Sequence, residues 1–327
     1  LSAEQILTLN HKKHDKPFVL IIGDNKGTET TDLMIPYGIL KSSNLFDVKI
    51  AAPKSTAINM MPSLKIIPDI SFEQFETEHP EGADIVIIPA IHNKDSKIMS
   101  DFVLRQSRKG AFSVSICEGA WVLAQTNIPN NSFATTHWYA KPKISAKYKQ
   151  IIWNDNIRYV GGKNYVTTSG VSASMPISLA LVEVFGGTEL TKSIADKYSV
   201  ADWSDRHDTS QFKFDKSFYG PIIENALSFW THETIYSELD DGFDEIPLAI
   251  NADAWSRTYK SKFYLHCKND ILKTKNGMQI VCDNEKNGVK VEIDNNYNQS
   301  PFDNVLDKIK ARYNTPTSDL VRIQLEY

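Results

Sequence analysis

The sequence predicts an α/β fold: a mainly parallel sheet covered by helices on both faces, with a smaller α+β region after it. Three observations predict this. Short apolar runs without polar alternation recur through the first two-thirds of the 327 residues, among them Phe18–Ile22, Asp84–Pro89 and Ala111–Cys117. Strands buried on both faces read this way. Helical patterns separate these runs, as right-handed βαβ crossovers require. Near residue 200 the character changes to short β-like runs split by Asn276-Gly277 and Asn287-Gly288. The expected division is therefore residues 1–199 and 200–327.

Phe18–Ile22 is the first strand, and Gly23 ends it. Asp32 to Leu45 reads as helix and Phe46–Ala51 as the next strand. Asp84–Pro89, Ala111–Cys117 and Tyr165–Ser169 are further strands. Ser172 to Phe185 is a helix with Ile177, Ala180, Leu181 and Val184 on one face, and Gly186-Gly187 stops it. Asp202–Ser210 is polar and without period, so it reads as a loop. Tyr219 to Tyr236 carries a helical stripe through Ile222, Ile223, Ala226, Leu227 and Trp230. A meander is expected through Lys262–His266, Ile271–Thr274, Met278–Cys282 and Val289–Ile293, because Asn-Gly favours hairpin turns. Ser300-Pro301 opens a helix. Val321, Ile323, Leu325 and Tyr327 alternate with polar residues, which predicts a terminal strand.

Composition is that of an ordinary globular chain, with 41% hydrophobic and 23% charged residues. The net charge of -4 gives no reason to expect nucleic acid. No apolar stretch approaches the roughly 20 residues of a membrane span. The chain opens on Leu1, so a tag remnant, a removed signal peptide and an omitted anchor all stay open, and localisation with them. His11–Lys16 reads as a polar tether. Of three cysteines, Cys267 and Cys282 lie on expected neighbouring strands. The reading is two part-buried free thiols, with a bridge as the alternative.

Cys117 carries the chemistry. It ends an apolar run, and Glu118-Gly119-Ala120-Trp121 opens a helix after it. A sharp strand-to-helix turn holds a side chain at a sheet edge and aims backbone N–H groups at it. A thiol there is expected to ionise more easily. Glu118 opposes this if its carboxylate faces the sulfur, while its N–H favours it. His137, in Ala134-Thr-Thr-His-Trp138, is a candidate base or a locally bonded side chain.

The motifs Ser115-Ile-Cys-Glu-Gly-Ala-Trp-Val-Leu-Ala124, Ala134–Trp138 and Tyr165-Val-Thr-Thr-Ser-Gly-Val-Ser-Ala173 resemble the DJ-1/PfpI superfamily, the class I glutamine amidotransferase-like proteins. Asp32-Leu-Met-Ile-Pro36 is similar to that family's first-helix segment. The resemblance spans roughly residues 16–190. It implies a flavodoxin-like three-layer sandwich, Cys117 at a nucleophile elbow, the Asp32 carboxyl close to the Cys117 sulfur, and His137 near the cysteine. Such an acid would be protonated, since adjacent anions repel. Asp32 as the first helix's N-cap is a compatible reading. Where relatives have Pro-Gly-Gly, this chain has Pro89-Ala90-Ile91-His92. The N–H groups of Ile91 and Glu118 are the expected oxyanion donors, and the Ile91 side chain is expected to narrow the approach.

The expected function is a cysteine-dependent hydrolase or hydratase acting on a small electrophile, with no metal or organic cofactor. The alternative is a non-enzymatic small-molecule or redox sensor using Cys117. The region after residue 200 lacks a basic recognition helix, so DNA binding is not expected. The resemblance also makes a homodimer an expectation. His92 reads as a surface residue, and His207 with Asp205 and Asp208 as a solvated loop more than a metal cluster. Trp121 and Trp138 are candidate pocket walls or core aromatics.

Overall fold

The computed structural model describes residues 13–126, 128–212, 232–283, 287–295 and 299–327. The chain begins with β1 (Phe18–Ile22), β2 (Thr28–Glu29), α1 (Thr30–Ser43), β3 (Asp47–Ala52), β4 (Ile58–Met61), β5 (Lys65–Ile67) and β6 (Ile70–Ser71). It continues through α2 (Phe72–Glu78), β7 (Ile85–Ile88), α3 (Lys97–Arg108), β8 (Phe112–Ser115), α4 (Ala120–Ala124) and β9 (Phe133–Ala134). Then come α5 (Lys141–Lys147), β10 (Ile152–Trp153), β11 (Tyr159–Gly161), β12 (Tyr165–Thr168) and α6 (Ser174–Lys197).

The main sheet has seven strands in the order β11-β12-β8-β7-β1-β3-β6. Every pair is parallel except β11 with β12. Both faces are buried, as the unbroken apolar runs require. In β1, Val19 and Ile21 enter one apolar cluster while Phe18, Leu20 and Ile22 enter the other. Leu33 and Ile39 of α1 with Ile177 and Leu181 of α6 cover the first face. Phe75 of α2, Phe102 of α3 and Val122 of α4 cover the second. The result is the expected three-layer α/β sandwich.

Helix α1 starts two residues before Asp32, and its cap is Glu29, whose carboxylate accepts the Asp32 N–H at 2.6 Å. Helix α6 breaks at Gly187 (φ 78°, ψ 170°) as expected, but resumes to Lys197. Val171–Lys197 is long and apolar enough to cross a membrane by length and composition, which the sequence reading overlooked. Its most apolar window is 61% buried here, so it serves as a core helix.

The later part holds β13 (Glu233–Glu238), α7 (Glu245–Ser256), β14 (Ser261–His266), β15 (Ile271–Lys273), β16 (Gln279–Val281), β17 (Val289–Lys290), α8 (Pro301–Arg312) and α9 (Thr315–Leu325). The helix expected over Tyr219–Tyr236 falls largely outside the described residues, and Glu233–Tyr236 is strand. The strands form no meander. β14 and β17 flank β13 in parallel, whereas the β15–β16 hairpin pairs antiparallel with β5. The hairpin thus completes a five-stranded sheet, β15-β16-β5-β4-β2, that ends beside Glu29. Asn-Gly turns specify hairpins locally but not the partner strand.

Two further expectations are corrected. Cys267 and Cys282 are bonded as a disulfide with Cα atoms 5.9 Å apart, a separation a bridge accommodates. They follow strands of two different sheets, which fifteen residues of spacing could not reveal. The expected terminal strand is helix α9. Asn314 caps it by accepting the Thr317 N–H at 2.8 Å, and Pro316 sits in its first turn. Thr317, Ser318, Leu320, Val321, Ile323 and Leu325 are all buried, and burial on more than one side blurred the period.

Candidate active site

Cys117 sits where β8 turns into a three-residue 3-10 segment, Cys117–Gly119, and then α4. Its φ of 55° is left-handed, a strained conformation for a residue with a Cβ. Neighbouring groups fix it there. The Cys117 N–H donates to Ser169 O at 3.1 Å and Thr168 Oγ1 at 3.2 Å. Its carbonyl accepts the Thr136 hydroxyl at 2.9 Å. A Cβ on Gly119 would lie 2.0 Å from Ile88 O, so only glycine lets the turn press against β7.

Cys117 lies in a cleft of about 390 Å³. Glu29, Ala90, Ile91, Lys94, Glu118 and His137 line it from the early part of the chain, and Ser256, Arg257, Tyr259 and Gln324 from the late part. The later region is therefore a wall of the cleft.

Beneath this wall lies a cluster of acids around one cation. Arg257 Nη2 donates to Glu29 Oε1 at 3.0 Å and its Nε to Asp253 Oδ1 at 2.8 Å. Burial raises Glu29 and Asp253 to about 8 each, with Arg257 opposing. Asp32 is fully buried and raised to about 7, again chiefly by burial, against the pull of the Ala90 N–H it accepts at 3.1 Å. Its Oδ1 has no hydrogen-bond partner among the described residues. Asp32 does not line the cleft, whereas Glu29 does. Its charge nevertheless reaches Cys117.

The Cys117 thiol is pushed well above its ordinary value by burial first, then by the charges of Asp32, Glu118 and Glu29. The Glu118 N–H pulls the other way but does not prevail. The expected easier ionisation is opposed here chiefly by burial, to which the charges of Asp32, Glu118 and Glu29 add. The Glu118 carboxylate itself pairs with Lys94 and accepts the Trp121 indole N–H at 3.2 Å.

His137 is buried on the early side of the cleft, facing the late wall through its bond to Gln324. Its Nδ1 accepts the Tyr139 N–H at 3.3 Å, so its proton is on Nε2, which donates to Gln324 O at 3.2 Å. Both nitrogens are engaged, and in this conformation neither is open to take the Cys117 proton. Burial lowers its basicity. Glu326 stands beside it: Oε2 lies 4.0 Å from His137 Nε2 and accepts the Gly170 N–H at 2.7 Å, while Oε1 lies 2.8 Å from His207 Nε2. His207 therefore has a carboxylate partner, and no group of metal-ligating residues occurs among the described residues.

The Ile91 N–H makes no hydrogen bond among the described residues, and Thr28 faces Ile91 across an antiparallel bridge. The Ile91 side chain belongs to the second apolar cluster. His92 is exposed at the cleft rim. Trp121 and Trp138 do not line this cleft.

The DJ-1/PfpI family model matches residues 18–184. The chain belongs to the DJ-1/PfpI family. No curated protein matches it. Among solved structures it is similar to Drosophila melanogaster DJ-1beta, with 21% identity and a TM-score of 0.51 over 57% of this chain and 100% of that one. It is also similar to a THiJ/PfpI family protein from Pseudomonas syringae, with 17% identity and a TM-score of 0.50 over 60% and 80%. At these identities the likeness concerns the fold.

The family match ends before every residue of the late wall. Arg257, Tyr259 and Gln324 were missed by sequence reasoning, and no local motif marks them. Glu29 could have been found, three residues before Asp32 at the start of a helix. Cys117, Glu118, Ile91 and His137 all line the cleft, whereas Asp32 is buried and does not.

Proposed function

We propose that this DJ-1/PfpI protein is a cysteine-dependent hydrolase or hydratase of a small electrophile, with Cys117 as nucleophile. The observation that carries this is Cys117 held at a left-handed elbow, in a cleft also lined by Glu118 and by Ile91, whose N–H makes no hydrogen bond among the described residues. Sγ adds to the electrophilic carbon as the thiol proton passes to Asp32. In an amide the displaced pair goes to the carbonyl oxygen, stabilised by the N–H donors of Ile91 and Glu118, and then re-forms the C=O bond as the amine nitrogen leaves with the proton from Asp32; in an isocyanide the pair stays on the attacked carbon, which takes that proton. Water adds to the same carbon and the S–C bond breaks, restoring the thiol. An amide loses its amine in this sequence, and an isocyanide gains water. His137 shapes the wall. Residues 200–327 act as an accessory layer that supplies the charged side of the cleft.

Burial raises the Cys117 thiol, so the enzyme reading relies on removal of its proton as Sγ adds, whereas a peroxide sensor needs a ready, accessible thiolate. The test compares wild type with Cys117→Ser on glyoxals, isocyanides and amides. Turnover lost in the variant supports the enzyme. No turnover on any of them, with ready oxidation of Cys117 by dilute peroxide, supports the sensor instead.

A further inference from the structure

Arg257 is more than a counter-ion for its two carboxylates. Its Nε and Nη2 each use one donor, on Asp253 and Glu29. A guanidinium carries five N–H donors. No other hydrogen bond from this guanidinium occurs among the described residues, and the side chain is 20% exposed where it lines the cleft. Arg257 and Cys117 line the same cleft, and the charge of one acts on the other. The two carboxylates fix the guanidinium in place, so an incoming ligand meets an already oriented fork. Lys94 is the other cation lining the cleft, and Glu118 already pairs with it.

We infer that Arg257 is an anion-binding group, and that the electrophile attacked by Cys117 carries a carboxylate close to its reactive carbon. The planar fork suits a two-oxygen anion, and a cleft of about 390 Å³ holds a small molecule reaching from Arg257 to Sγ. The inference rests on the reading of Cys117 as nucleophile.

Alkylation tests both separately. Cys117 is the free cysteine and the other two are bridged, so labelling of the folded protein reports it alone. In the reaction the S–C bond forms, iodide leaves with the bonding pair, and the thiol proton goes to solvent. Rates with iodoacetate and iodoacetamide are each divided by the rate with free N-acetylcysteine. Wild type should favour iodoacetate by about tenfold, the scale of one charge-assisted contact. Arg257→Gln should remove the preference, and Arg257→Lys should retain part of it. Propionate should protect wild-type Cys117 from iodoacetamide at concentrations where propionamide does not, a measurement that needs no variant. Equal normalised rates in wild type with equal protection by the two additives overturn the carboxylate site while leaving the nucleophile intact. Failure of both reagents on folded protein, with labelling after unfolding in urea, overturns the nucleophile and this inference with it.

Discussion

Arg257 donates to Glu29 at 3.0 Å across 228 positions of sequence. The pair joins the end of α7 to the cap of α1, and so ties the accessory layer to the turn that precedes Asp32. It also places the cleft's charge balance in the hands of two distant segments.

The acids around Arg257 make stability depend on pH. Glu29, Asp32 and Asp253 are raised to about 8, 7 and 8, chiefly by burial. The unfolded chain releases such protons near pH 4. The folded state therefore binds more protons between these values, and stability falls as pH rises from about 4 towards about 8 and levels off above. Urea unfolding at intervals from pH 5 to 9 should show this decline, and Asp253→Asn should flatten it. A level profile in wild type would contradict the placement of the cluster.

Substitution of the proposed nucleophile should separate activity from folding. Cys117→Ser should reduce turnover by about 10³-fold or more, with a urea midpoint close to wild type. Asp32→Asn should cost about 10²-fold if the carboxyl moves the proton. Steady-state kinetics on any substrate found in the panel decides both, and an active Cys117→Ser enzyme refutes the reaction.

Glu326 clamps the late wall to the sheet edge. It accepts the Gly170 N–H, bonds His207, and its carbonyl accepts the Ser172 hydroxyl at 2.5 Å. Glu326→Ala removes the carboxylate bonds to Gly170 and His207 from a buried position, leaving the backbone bond from Ser172, and should cost about 2–3 kcal/mol in urea unfolding. Gly170→Ala should do similar harm, because its Cβ would fall 2.2 Å from Glu326 Oε2. Wild-type stability in both variants would show that the clamp contributes nothing.

The disulfide closes a segment with a sequence separation of 15. Loop closure on that scale is worth about 3 kcal/mol. The double variant Cys267→Ser, Cys282→Ser should melt at a lower temperature than wild type, and reductant should leave the variant's melting unchanged. Equal melting of the two proteins would mean the bridge adds no stability.

Much of this was legible in the chain because its signals are local. Unbroken runs such as Phe18–Ile22 marked buried parallel strands, and the residues around Cys117 marked the elbow. What stayed hidden depends on pairing at a distance. Arg257 follows an unremarkable helix, and only the fold carries it to Glu29. The strands at Ile271 and Gln279 were visible, but their docking on β5 is a tertiary choice. Val321, Ile323 and Leu325 alternate in sequence like a strand, yet Leu320 and Thr317 are buried too, and Asn314 with Pro316 starts a helix.

The bridge between Cys267 and Cys282 has a mechanical meaning as well. It fastens the loop after β14 to the loop after β16, and β16 is bonded through β5 and β4 to β2. Tension on the β14-β13-β17 sheet therefore runs through one covalent link and then a ladder of strands to Glu29. The rim of the cleft at Glu29 is thus one end of a braced girder of paired strands whose other end is held by the covalent link.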